Sequence, residues 1–161
     1  MENFNMKNAL KLIIAILVSE AAGGIGSLFT ASSVGGWYAD LAKPALNPPG
    51  WVFGPVWTTL YALMGVAAFL VWKNGWGWKK VRVALGVFGI QLVLNAAWSI
   101  VFFGLHSPGW ALVNIIVLWL AIVWTIAVFY RISKPGAYLL LPYLLWVSFA
   151  SYLNYSIWML N

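Results

Sequence analysis

The chain has 161 residues, a length that fits one domain, yet 63% are apolar and only 7% are charged, against roughly 45–50% and about 25% in soluble domains. So few charges cannot coat a core of this size, and the excess apolar surface needs a bilayer as its solvent. Three acids (Glu2, Glu20, Asp40), one histidine and no cysteine leave nothing for a disulfide framework, a thiolate site, a protein metal centre or a paired-carboxylate hydrolase.

Five apolar runs follow in chain order, at 10–30, 51–72, 81–103, 110–130 and 137–159. Each is roughly 20 residues or longer, enough to cross about 30 Å of hydrocarbon at 1.5 Å per residue. None alternates as barrel strands do, and backbone groups in lipid must bond internally, so the runs are helices. The expectation is one all-α domain over 1–161, an integral membrane bundle of five transmembrane helices. No internal repeat supports an inverted-repeat transporter.

The first run begins like a secretory signal, with Lys7, Lys11, the apolar 12–18 and small Ala21 and Ala22. Glu20, the stretch Gly23-Gly24-Ile25-Gly26 and the apolar continuation through Phe29 favour a retained span instead. Glu20 is the one acid inside a span. It is a ligand anchor, the site of a small proton-coupled exporter, or a hydrogen-bonded helix contact. Gly23 and Ser27, four apart, allow close helix approach.

The connection 31–50 is long for a compact domain and carries Trp37, Tyr38, Leu41, Lys43-Pro44 and Asn47-Pro48-Pro49-Gly50. Consecutive prolines stiffen it, and proline is tolerated where the next helix starts. It is a rigid connector or a lid over a pocket. The second run sets Trp57, Tyr61 and Met64 on one face, the third Gln91, Asn95 and Trp98, and the fifth Trp146, Ala150, Leu153 and Asn154. The mid-span amides either bond between helices or meet a polar ligand atom in a cavity. Trp110 reads as an interface anchor or, with Asn114 one turn on, as facing inward. His106 stands in a short loop, where a solvated ring is the plainer reading and haem ligation the sharper one. Eight basic residues fall at the N-terminus and in the second and fourth loops, with Lys43 alone opposite. They orient the chain rather than bind nucleic acid. The positive-inside rule puts the N-terminus in the cytoplasm and the first loop and C-terminus outside.

The sequence resembles the translocator protein family, also called the tryptophan-rich sensory protein or peripheral benzodiazepine receptor family, in its prokaryotic form. The resemblance rests on Trp37-Tyr38, Asn47-Pro48-Pro49, Phe53-Gly54-Pro55-Val56-Trp57, Leu60-Tyr61, Gln91-x3-Asn95-x2-Trp98, Gly109-Trp110-Ala111-Leu112 and Pro142-Tyr143-x2-Trp146-x2-Phe149-Ala150-x2-Leu153-Asn154. It implies a five-helix bundle in a prokaryotic plasma membrane, often a homodimer, with a pocket capped by the first loop. Porphyrins such as protoporphyrin IX and haem enter as ligands, with no obligatory cofactor, and the family also takes synthetic benzodiazepine-type ligands. The pocket positions carried over are Ser27, Trp37, Pro48, Phe53, Gly54, Trp57, Tyr61, Asn95, Trp98, Trp110, Trp146, Ala150 and Leu153. Trp57 and Trp146 match indoles implicated in light-dependent porphyrin breakdown, so an enzymatic alternative goes with the binding role. The sequence departs at 155–161, which lack the basic residue of the animal sterol motif, at Leu46 in place of Trp, and at Asn114 in place of an acid.

Overall fold

The computed structural model describes residues 6–161; Glu2 lies outside them. Among the described residues five helical stretches are long and apolar enough to cross a membrane. In chain order the elements are α1 (Met6–Val34), α2 (Trp37–Asp40), α3 (Gly50–Trp72), α4 (Lys79–Ser99), α5 (Pro108–Tyr130), α6 (Lys134–Tyr138) and α7 (Leu141–Leu160). α4 runs on into a π-helical turn, Ile100–Gly104.

Run length alone places these helices to within a few residues, and the departures have local causes. α1 starts and ends four residues beyond the expected 10–30. The fifth span is not the single helix expected. Pro142 lacks an N–H and sits in the first turn of α7, and the chain breaks at Leu139 and Leu140 before it. In α3, Pro49 with ψ 142° caps the helix. Pro55 lies inside it, and the Thr59 hydroxyl donates back to the Pro55 carbonyl at 2.8 Å.

The spans close into a ring: α1 packs on α3 and α4, α4 on α5, α5 on α7, and α3 on α6 and α7. α3 and α4 also meet across the bundle. The fully buried Met64, Ile115, Leu118, Ile122, Phe129, Leu140 and Tyr143 fill the core. Leu10, Leu17, Val93, Leu120 and Leu145 face outward, where hydrocarbon receives them without cost.

Small residues set the tightest contact. A Cβ added to Gly65 would stand 2.5 Å from Ile16 Cα, so α1 and α3 touch backbone to backbone there. Gly65→Ala must push the helices apart. It should lower thermal stability in detergent by the overpacking cost of about 1–3 kcal/mol. Gly86→Ala, with nothing within 4 Å of the added carbon, should leave the melting temperature unchanged.

Candidate functional site

A cavity of about 370 Å³ lies between α1, α3, α4 and α7. Each helix gives it a different chemistry. α1 contributes Glu20, Gly23, Gly24, Gly26, Ser27 and Thr30, a floor of small and polar groups. α3 contributes Phe53, Gly54, Trp57, Thr58 and Tyr61; α4 and its π turn contribute Trp98, Ser99 and Phe103; α7 contributes Trp146 and Ala150. Tyr38 of α2 closes the top.

The aromatic walls are held in place by one another. Trp57 stacks on Tyr61 with centroids 5.6 Å apart and meets Tyr143 edge-on at 6.3 Å. Phe53 meets Trp146 edge-on at 6.1 Å. Trp98 stacks on Phe102 at 5.3 Å, and its Nε1 donates to Asn154 Oδ1 at 2.9 Å. Asn154 in turn donates to the Pro108 carbonyl at 2.8 Å, which ties α7 to the start of α5. Among the described residues Trp146 Nε1 is buried with no hydrogen-bond partner, so the wall keeps an indole donor.

Behind Tyr61 runs a buried polar chain. Its hydroxyl donates to Asn95 Oδ1 at 2.6 Å, Asn95 Nδ2 donates to Tyr143 Oη at 2.7 Å, and Tyr143 donates to Gln91 Oε1 at 2.8 Å. Gln91 Nε2 ends the chain on Met64 Sδ at 3.8 Å. On α1 a Cβ at Gly23 would collide with the Tyr61 ring, so glycine lets that ring lie against the α1 backbone.

The connection over the cavity is structured. Tyr38 donates to Asn47 Oδ1 at 3.0 Å, and Asn47 N–H closes a turn on the Pro44 carbonyl at 2.9 Å. Burial raises the Tyr38 phenol above its ordinary pKa, and the Asn47 bond pulls it partly back. Lys43 lies 4.9 Å over the Tyr38 ring and donates to the Ala39 and Leu41 carbonyls. Three contacts fasten the lid to the bundle. Trp37 stacks on His106 at 4.4 Å; Ser33 donates to the Phe103 carbonyl at 2.7 Å; Asn161 both donates to and accepts from the Ala42 backbone at 3.0 Å. His106 holds φ 51°, a left-handed conformation uncommon for a non-glycine residue, so the loop is bent to present its ring to Trp37.

Of the residues expected in the pocket, Ser27, Phe53, Gly54, Trp57, Tyr61, Trp98, Trp146 and Ala150 line this cavity. Five do not. Trp110 is 72% exposed on the outer face of α5, in a shallow recess with Val101, Leu105 and Asn114, which corrects the inward reading of that face. Trp37 clamps the lid from outside, and its neighbour Tyr38 takes the lining position. Asn95 stands one layer back, behind Tyr61, and Leu153 is buried in the core. Pro48 stiffens the lid without lining the cavity, and accepts from Asn47 Nδ2 at its carbonyl. Sequence reasoning left out Gly24, Thr30, Val34, Tyr38, Gly50, Thr58, Ser99 and Phe103 as lining residues. It had Gly23 and Gly26 only as helix contacts, and Glu20 as a ligand anchor, a proton-coupled site or a helix contact; their spacing on α1 was the available signal.

With this geometry in view, the comparisons with known proteins agree on one assignment. The model of the TspO/MBR family matches residues 15–159. The chain is 48% identical to the tryptophan-rich protein TspO of Chlorobaculum tepidum, over 96% of its length and 98% of the relative's. It is 50% identical to the Archaeoglobus fulgidus protein of the same name, over 96% and 99%. It is 45% identical to the human translocator protein, over 83% and 80%. The chain belongs to the TspO/MBR family and is an integral membrane protein.

The lid contacts give a measurable expectation. Asn161→Ala removes both bonds to Ala42, each worth about 1 kcal/mol. Hydrogen exchange at the Ala39, Ala42 and Asn47 amides should rise roughly fivefold or more, while amides in the middle of α5 stay protected.

Proposed function

We propose that this member of the TspO/MBR family is a receptor or carrier for porphyrin-type tetrapyrroles, serving sensing or translocation across the membrane. The observation that carries the reading is the set of walls formed by Phe53, Trp57, Trp98 and Trp146 around one cavity. Flat rings gain most from a flat ligand, by offset stacking and by burying large apolar area. The volume, about 370 Å³, lies in the range of small-molecule pockets of roughly 300–1,000 Å³. The few polar groups in the lining orient a ligand rather than transform it. His106 stacks on Trp37 and is not among the residues that line the cavity, so it does not stand where it could ligate a haem bound there.

The positive-inside rule places the N-terminus in the cytoplasm and the lid on the outer side of a plasma membrane. A ligand then comes to the cavity from the outer side or from the outer leaflet.

Titrating protoporphyrin IX into the protein in lipid nanodiscs should quench tryptophan fluorescence stoichiometrically. Replacing both Trp57 and Trp146 by Leu should weaken binding at least tenfold, the loss of two stacked rings at about 1 kcal/mol or more each. No quenching at stoichiometric ligand overturns the reading.

A second reading draws on the presence of both Trp57 and Trp146 in the wall. A bound porphyrin, excited by light with dioxygen as oxidant, would be degraded through indole oxidation. Illuminated complexes should then bleach more slowly in Trp57→Phe and Trp146→Phe; bleaching at the unaltered rate in both excludes this activity.

A further inference from the structure

A second recess, of about 400 Å³, lies on the outward side of α5 and the π turn before it. Val101, Leu105 and Val113 give it apolar walls, and Ser107, Trp110 and Asn114 give it polar atoms. It shares no residue with the cavity between α1, α3, α4 and α7. Leu105, Trp110 and Val113 are all exposed. In an integral membrane protein such a face meets lipid, so the recess opens onto the bilayer.

Asn114 is the residue there that has to be explained. Its Oδ1 is buried and has no hydrogen-bond partner among the described residues. Asn114 nevertheless lines the recess, so the half of its amide turned to the lipid is the NH₂. Turning the amide over would bury two N–H donors in place of one carbonyl oxygen, and orphaned N–H groups are rarer in proteins than under-satisfied carbonyls. A donor facing hydrocarbon has no water to bond and is costly to leave unpaired. A leucine at this position would carry no such cost.

Two further donors stand beside it. Ser107 precedes α5 and makes no capping bond with its side chain, and the Trp110 indole is largely exposed. α5 starts at Pro108, so Asn114 lies about 9 Å along the helix at 1.5 Å per residue. Its side chain leans back toward the start of the helix. The amide therefore sits near the level where hydrocarbon gives way to the lipid glycerol, about one turn below the interfacial Trp110.

We propose that this recess is a binding site for one glycerophospholipid of the leaflet at the lid end, with a lipid ester carbonyl accepting from Asn114 Nδ2 and an acyl chain lying against Val101, Leu105 and Val113. Donors and acceptors are complementary. The ester carbonyls of a glycerophospholipid lie at this depth and only accept. Its phosphate oxygens, one level higher, accept from the Ser107 hydroxyl and the Trp110 indole. A lipid alcohol brings a single oxygen and a proton of its own that must also be placed.

The test uses two lipids that differ only at the linkage, diphytanoyl phosphatidylcholine with ester carbonyls and diphytanyl phosphatidylcholine with ether oxygens in their place. Each is titrated into delipidated protein in detergent, and bound lipid and oligomeric state are read together by native mass spectrometry. The ester lipid should bind one to a protomer, roughly three- to tenfold tighter than the ether lipid, the worth of one hydrogen bond. Asn114→Leu should bring the two lipids to equal affinity, with the melting temperature in detergent showing that the fold is kept. Val113→Trp, which fills the recess and leaves Asn114 in place, should weaken both lipids together. Equal binding of the two lipids by the unaltered protein overturns the proposal, as does an ester preference that survives Asn114→Leu or a failure to retain either lipid. A lipid-free dimer that Val113→Trp breaks into monomers also overturns it, because the recess is then covered by a second copy of the chain.

Discussion

Everything in the interior follows from the absence of water in hydrocarbon. A polar side chain between helices must find its partner in another helix or go without. Gln91, Asn95 and Tyr143 are each no more than 1% exposed. Together with Tyr61 they join α3, α4 and α7 by hydrogen bonds of 2.6–2.8 Å. Such bonds contribute only about 1 kcal/mol each in a membrane protein. Their main effect is on register. α3 and α4 cannot slide by a turn without leaving Tyr61 or Gln91 unpaired, and the register they fix sets Trp57 and Trp98 on the same cavity.

The same solvent explains which parts of the fold were legible in the sequence. Span number and rough limits follow from the length of apolar runs, because lipid thickness is a ruler that does not depend on tertiary structure. Shared faces were legible too: Trp57, Tyr61 and Met64, and Gln91, Asn95 and Trp98, lie together as their spacing requires. Which face turns inward was not legible where both faces are apolar. In a soluble helix the polar side marks the outside, but on α5 lipid and core accept the same residues. Trp110 reads from the sequence as an interface anchor or, with Asn114 one turn on, as facing inward, and the structure sets it on an outer recess that Asn114 also lines. Trp37 and Tyr38 show the same limit over a single residue. Composition cannot say which of two adjacent aromatics enters the cavity; the rotation of the short α2 decides it. The glycines of α1 read as helix-contact residues, and at Gly23 and Gly26 they are that, against Tyr61 and Ser99. The cavity floor is a consequence of the same small side chains, visible only once α3 and α4 are in place.

The abundance of tryptophan, tyrosine and phenylalanine thus divides by position. Trp76, Trp78 and Tyr130 are exposed beside the basic loops, as interfacial anchors are. Lys134 lies 5.5 Å over Tyr130, extending that belt through a cation–π contact. A second group lines the cavity, and a third, Trp37 with Phe102 and Phe103, makes a small separate core beneath the lid. The π turn at Ile100–Gly104 serves this third group. Its extra residue per turn lets consecutive Phe102 and Phe103 both be buried, with centroids 4.8 Å apart.

The lid core and the cavity are joined at few points, and this separates two properties that are often mixed. Contacts that hold the lid, Trp37 on His106, Ser33 on the Phe103 carbonyl and Asn161 on Ala42, involve no side chain that lines the cavity. Loosening them would free the connection over the cavity without altering the cavity's walls. Tyr38, Trp98 and Phe103 are the links between the two, since all three line the cavity and pack against one another or Phe102 in the lid core. Of these, Tyr38 also reaches the turn that leads into α3, through its bond to Asn47.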